Sequence, residues 1–150
     1  MNLTSEILDK YFKINNNATL KLDGIKKIEP KAFKNCRNRR IRSLRLPTGS
    51  KFKYQLIKFD ESHSSLFEPL SEHLEELELE CSLKCEFNFL NYLRNLKKLT
   101  LSVVICAEMG KPVFSLANNQ LTHLDFNMCT KLSDRTMFNS LKCLTYLDLR

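Results

Sequence analysis

Residues 74–101 read LEELELECSLKCEFNFLNYLRNLKKLTL, and this stretch holds one short pattern twice. Leu74, Leu77 and Leu79 make Leu-x-x-Leu-x-Leu, and Leu96, Leu99 and Leu101 repeat it 22 residues later. Working outward, Leu121, Leu124 and Phe126 form another copy, then Leu144, Leu147 and Leu149. Toward the N-terminus, Ile41, Leu44 and Leu46 make a weaker copy, and Asn17, Leu20 and Leu22 the weakest. The central leucines fall at 20, 44, 77, 99, 124 and 147, in steps of 24, 33, 22, 25 and 23 residues. The one long step predicts a repeat with an insertion, placed at 50–70. Inside it, Tyr54, Ile57 and Phe59 suggest an extra strand.

The last two apolar residues of each copy are two apart, so they point to one face of a short strand, and the residues around them point to the other. A single copy cannot bury its own leucines, so neighbouring copies must stack as parallel strands. Periods of roughly 20–29 residues are those of leucine-rich repeats. The expected fold class is therefore α/β: a leucine-rich repeat solenoid with a parallel concave sheet and short helices or turns on the convex side. Glu29-Pro30-Lys31-Ala32-Phe33 places Pro at a helix start with Phe33 turned inward. Phe87, Leu90 and Leu93 have helical spacing, as do Met137 and Leu141 behind a Ser133 cap, and Gly110 with Pro112 breaks the chain. Residues 1–16 read as an N-terminal helical cap using Leu3, Ile7, Leu8, Tyr11 and Phe12. Residues 17–150 read as about six repeats. The chain stops at Leu149-Arg150 inside a repeat without a polar cap, so truncation at the C-terminus is expected.

The net charge of +7 is uneven: residues 1–60 hold 15 Lys/Arg against 5 Asp/Glu, and 61–150 hold 9 against 12. A basic half can serve nucleic acid, yet no aromatics are interleaved with its basic residues, and a solvated surface is the preferred reading. The longest apolar run is Val103–Ala107, and the first twenty residues carry Glu6, Asp9, Lys10 and Lys13 among their apolar positions. No membrane span or secretory signal is expected from these. Six cysteines and the sequons at Asn2 and Asn17 lean toward secretion, but the cysteines are dispersed. Only Cys81 and Cys85 are close, too few for a zinc set. His63, His73 and His123 have no Cys or Ser arrangement that suggests catalysis. The expectation is no enzyme, no cofactor and no metal.

Residues 121–150, LTHLDFNMCTKLSDRTMFNSLKCLTYLDLR, resemble the cysteine-containing leucine-rich repeats of F-box proteins and related cullin-ligase substrate receptors. In that family a strand ends in Cys, followed by a hydrophobic residue and Asp; here these are Cys129, Leu132 and Asp134. The equivalent positions elsewhere, Ser82 and Val104, depart from the pattern. The opening LTSEILDKYFKI is similar to the first F-box helix, with Thr4 in place of the family's Pro and no room for the remaining helices. GIKKIEPKAFKNCRNRRIRSLRLP, residues 24–47, looks instead like the Ala-Phe repeats of extracellular and bacterial-surface proteins.

The resemblance implies a non-catalytic protein-protein interaction module: the substrate-recognition repeats of a ubiquitin-ligase receptor, cytoplasmic or nuclear. A ligase adaptor or cullin would be among its partners. The alternative is a fragment of an extracellular receptor ectodomain of the Toll or slit type. In either case a protein partner would lie on the concave face. Periodicity places Lys21, Arg45, Glu78, Thr100, Asp125 and Asp148 along its centre, with Glu76, Lys98, His123 and Tyr146 in the preceding row beside Thr19 and Ser43. The order runs from basic to acidic, which suits a partner of opposite polarity. Arg45 with Glu78, and Glu76 with Lys98, are expected as cross-strand pairs.

Overall fold

A computed structural model describes residues 1–14, 18–46, 57–83, 88–105, 120–128 and 138–149. Its elements are β1 (Asn2–Leu3), α1 (Ser5–Ile14), β2 (Thr19–Lys21), β3 (Lys27–Ile28), β4 (Ser43–Leu46), β5 (Ile57–Phe59), β6 (Glu76–Leu83), β7 (Lys98–Ile105), β8 (His123–Met128) and β9 (Tyr146–Asp148). The fold is α/β with parallel strands and few helices. Seven strands form one sheet in the order β2-β4-β6-β7-β8-β9, with β5 also paired to β6. Every pairing is parallel.

The alternation of leucine and polar residues decides which face is buried. Leu20, Leu44, Leu77, Leu99, Leu124 and Leu147 are successive register partners, and so are Leu46, Leu79, Leu101 and Phe126. From Leu20 to Phe126 these side chains are at most 1% exposed. The first apolar residues of four copies (Ile41, Leu74, Leu96 and Leu121) close the same core. At β9 the burial ends: Leu147 is 46% and Leu149 44% exposed. No strand covers the outer side of β9 among the described residues.

The connecting segments are tighter than the sequence suggests. Behind Pro30 the chain forms turns and a 3-10 helix, Lys34–Cys36, with Ala32 and Phe33 fully buried. Asn88–Tyr92 is likewise 3-10, with Leu90 and Leu93 buried. Phe87, Gly110, Pro112, Ser133 and Met137 lie outside the described residues, whereas Leu141 is buried.

The insertion keeps the register. β4 pairs with the first half of β6, Ser43↔Glu76 to Leu46↔Leu79. Then β5 pairs with its second half, Ile57↔Cys81 to Phe59↔Leu83. Both occupy one edge of β6 in succession, so the extra chain adds a strand without displacing its neighbour. Ile57 and Phe59 are fully buried in this strand; Tyr54 lies outside the described residues. Phe67 packs within 5.8 Å of Phe33 and 6.4 Å of Phe59, ring centre to ring centre.

His63 pins this segment down. Asp60 caps the turn at Glu61–His63, accepting from the Ser62 backbone N–H at 2.9 Å, and His63 Nδ1 lies 2.9 Å from Asp60 Oδ1. The Ser62 hydroxyl, then His63, hold the Asp60 carboxyl below its ordinary range. Nε2 of His63 meets the Ile28 carbonyl oxygen at 3.0 Å. That oxygen can only accept, so Nε2 carries a proton. Ser62 and Asp60 both meet Nδ1, so the three residues close a turn and lack the arrangement of a catalytic triad.

At the N-terminus, β1 pairs in parallel with β3, Leu3 beside Ile28. The α1 helix buries Leu8 and Phe12, with Ile7 and Tyr11 packed against the core and the Arg39 guanidinium 5.0 Å from the Phe12 ring centre. The cap thus contains a short strand as well as a helix. Gly24 turns the chain toward β3 with φ +70°, a left-handed conformation that suits glycine. Its carbonyl accepts from the Met1 ammonium at 3.1 Å.

Two predictions follow from this core. Leu99→Ala, with strands on both sides, should cost about 2–5 kcal/mol in urea unfolding, and Leu149→Ala much less; equal losses would mean that the sheet is covered beyond β9. Burial, with a smaller contribution from the Asp9 carboxylate and opposed by Arg39, pushes the Cys36 thiol from 9.0 up to about 11. The unfolded chain therefore loses this proton first. Its effect on stability is flat below pH 9 and unfavourable to folding from pH 9 to 11. The stability difference between wild type and Cys36→Ala should shrink across that window.

Candidate functional site

The polar positions between the leucines all emerge on one side of the sheet. The register aligns Lys21, Arg45, Glu78, Thr100, Asp125 and Asp148 in one row across β2, β4, β6, β7, β8 and β9. Thr19, Ser43, Glu76, Lys98, His123 and Tyr146 form the row beside it. All ten candidate residues therefore share this face.

Their pairing is selective. Arg45 Nε lies 3.4 Å from Glu78 Oε2, both side chains exposed by more than a third. Glu76 and Lys98 are register partners, yet they form no ion pair; the Ser43 hydroxyl donates to Glu76 Oε2 at 3.2 Å instead. Ser43 is buried on the neighbouring strand, which gives Glu76 a short, fixed donor in place of a long mobile one. An ion pair forms one residue earlier, just ahead of β6 and β7, from Lys97 Nζ to Glu75 Oε2 at 3.3 Å. Lys21 pairs locally with Asp23 at 3.7 Å. A shallow cleft of about 50 Å³ lies over Leu77, walled by Ser43, Arg45, Glu76, Glu78, Lys98 and Thr100.

The entry to each strand is tied to the one before it. Thr122 Oγ1 donates to the Lys97 carbonyl at 3.1 Å, and Thr145 Oγ1 donates to that of Thr122 at 3.0 Å. Their backbone N–H groups donate to the same oxygens at 2.9 Å. Neither threonine is among the sequence candidates, although each directly follows the first leucine of its copy. At the far end the His123 and Tyr146 rings stack, 4.1 Å between centres with planes 6° apart. Alignment of the copies places these two rings side by side, and their equivalence is the only trace of the stack in the sequence.

No group of three or more metal-ligating side chains forms among the described residues, nor is any described helix long and apolar enough to cross a membrane. Cys81 is buried, and Cys85 lies outside the described residues. Cys129, Leu132 and Asp134 are also outside them, while Ser82 and Val104 are register partners in β6 and β7.

The Arg45–Glu78 pair is solvated, so a double-mutant cycle with Arg45→Ala and Glu78→Ala should give a coupling of about 0.2–1 kcal/mol that fades with added salt. A coupling well above that would mean that the pair carries the fold.

Comparison of this chain with known protein families, curated proteins and solved structures found no match.

Proposed function

We propose that this chain is a leucine-rich repeat solenoid that binds a protein partner on its exposed sheet face, without catalysis. The observation that carries this is the alignment of ten polar and aromatic side chains in two rows on one face of a sheet whose other face is packed with leucine. Parallel strands joined in register hold such side chains at fixed spacings, so little ordering is needed when a partner arrives. Basic residues cluster toward β2 and β4 and carboxylates toward β8 and β9, which favours partners of matching polarity and suppresses others. The reading requires no cofactor. Nucleic acid is disfavoured, because Glu76, Glu78, Asp125 and Asp148 lie on the same face.

More narrowly, the resemblance of residues 121–150 supports the substrate-recognition region of a ubiquitin-ligase receptor, working in the cytoplasm or nucleus alongside a ligase adaptor or cullin. The resemblance around Ala32 and Phe33, both fully buried, favours the second reading, an extracellular ectodomain. Thiol counting under non-reducing denaturing conditions separates them: six free thiols fit the first and paired cysteines the second.

Affinity capture with mass spectrometry should recover the partner with the wild-type chain, adaptor or cullin subunits included. Replacing Asp125 and Asp148 together by Lys should abolish capture while leaving Tm nearly unchanged. Capture unaffected by this double replacement would place the partner on another surface.

A further inference from the structure

The cleft over Leu77 lies in the middle of the sheet, where β6 has β4 on one side and β7 on the other. Leu77 turns its side chain into the core, so its backbone is the floor. Two register rows wall it: Ser43, Glu76 and Lys98 in one, Arg45, Glu78 and Thr100 in the other. Arg45 and Lys98 balance Glu76 and Glu78, so the walls carry no net charge. Bonds within the walls leave particular atoms over. The Ser43 hydroxyl takes Oε2 of Glu76, and Arg45 Nε takes Oε2 of Glu78. Among the described residues, Oε1 of Glu76 accepts no hydrogen bond, Lys98 Nζ meets no carboxylate, and the Thr100 hydroxyl has no partner. The cleft therefore offers an acceptor on β6 and donors on β7, from strands about 4.7–4.9 Å apart.

We propose that this cleft seats the side-chain carboxamide of an asparagine or glutamine on the protein partner. This rests on the reading of the sheet face as a protein-binding surface and names a group that the partner brings. About 10–15 Å³ of free volume holds one water. The cleft, at about 50 Å³, thus takes about three or four water-sized atoms, and a carboxamide has carbon, oxygen and nitrogen. Its oxygen accepts from Lys98 and Thr100, and its N–H donates to Glu76. A carboxylate of the same shape has no proton for Glu76 and faces Glu78 as well. An ammonium has no lone pair for Lys98 and faces Arg45 as well. An apolar group would cover these donors and acceptors without satisfying them, which is costly.

One side chain binds weakly by itself, so the test is an NMR titration of the whole isotope-labelled chain. The probes are glutamine, glutamate and lysine, each acetylated at its amine and methylamidated at its carboxyl, so that only the side chains differ. The glutamine probe should shift the backbone amides of Leu77, Glu78, Leu99 and Thr100 saturably. It should bind about fivefold more tightly than either charged probe, the factor that about 1 kcal/mol sets. Glu76 and Lys98 are exposed, so Tm should barely change when they are replaced. Lys98→Met should weaken the glutamine probe and turn the preference toward lysine, and Glu76→Gln should turn it toward glutamate. Lys98→Met should also weaken capture of the partner. No shifts at these amides, equal affinity for glutamine and glutamate, or preferences unchanged in both variants overturns the carboxamide seat. Probe binding with capture unaffected by Lys98→Met overturns its assignment to the partner. If the probes fail while the Asp125 and Asp148 replacement still abolishes capture, the seat falls and the face remains a protein-binding surface. Capture indifferent to every substitution on the face overturns both.

Discussion

Burial of each leucine against its equivalent on the next parallel strand is the constraint on which the rest of this structure depends. Leu44, Leu77, Leu99 and Leu124 each have a strand on both sides and are at most 1% exposed. Leu147, with a strand on one side only among the described residues, is 46% exposed. The same side chain in the same motif is thus core or surface according to its neighbours alone. Because the side-chain period of a strand is two, a slip by one residue would turn Glu76 or Glu78 into the leucine layer. An unpaired charge there is costly enough to lock the register.

That lock explains how the chain tolerates its irregular parts. The insertion returns to the edge of β6 that β4 has just left, and β5 continues the ladder over Cys81–Leu83. Its turns are then satisfied by local capping at Asp60 and by the reach of His63 to the Ile28 carbonyl. The N-terminus follows a similar logic. Leu3, Leu8 and Phe12 join the same apolar core, while β1 pairs with β3.

On the open face the energetic order is reversed. Its ion pairs are solvated and each is worth at most about 1 kcal/mol, so they pattern the surface far more than they hold it together. The leucine layer supplies the rigidity, and the face is left to vary in charge and shape. A basic end, a mixed centre around the cleft over Leu77 and an aromatic, acidic end follow one another along one row of strands. This order is what a protein partner would meet.

The spacing of Leu20, Leu44, Leu77, Leu99, Leu124 and Leu147 by itself determined the strand positions, their parallel register and which residues share the open face, because both the strand period and the repeat period are written locally along the chain. Arg45 opposite Glu78 followed from that alone. What only the tertiary structure decided were choices between partners close in space but remote in sequence. Glu76 takes the Ser43 hydroxyl rather than Lys98, since a buried hydroxyl on one neighbouring strand is better fixed than an exposed ammonium on the other. His63 finds its carbonyl 35 residues away on β3. The spacing of Ile57 and Phe59 suggests a strand, but only the tertiary structure supplies its partner, the edge of the second half of β6. The stack of Tyr146 on His123 likewise exists only once two strands, 23 residues apart in the chain, are placed one spacing apart. Periodicity can say which side chains become neighbours; rotamer, reach and burial then select which of those neighbours bond.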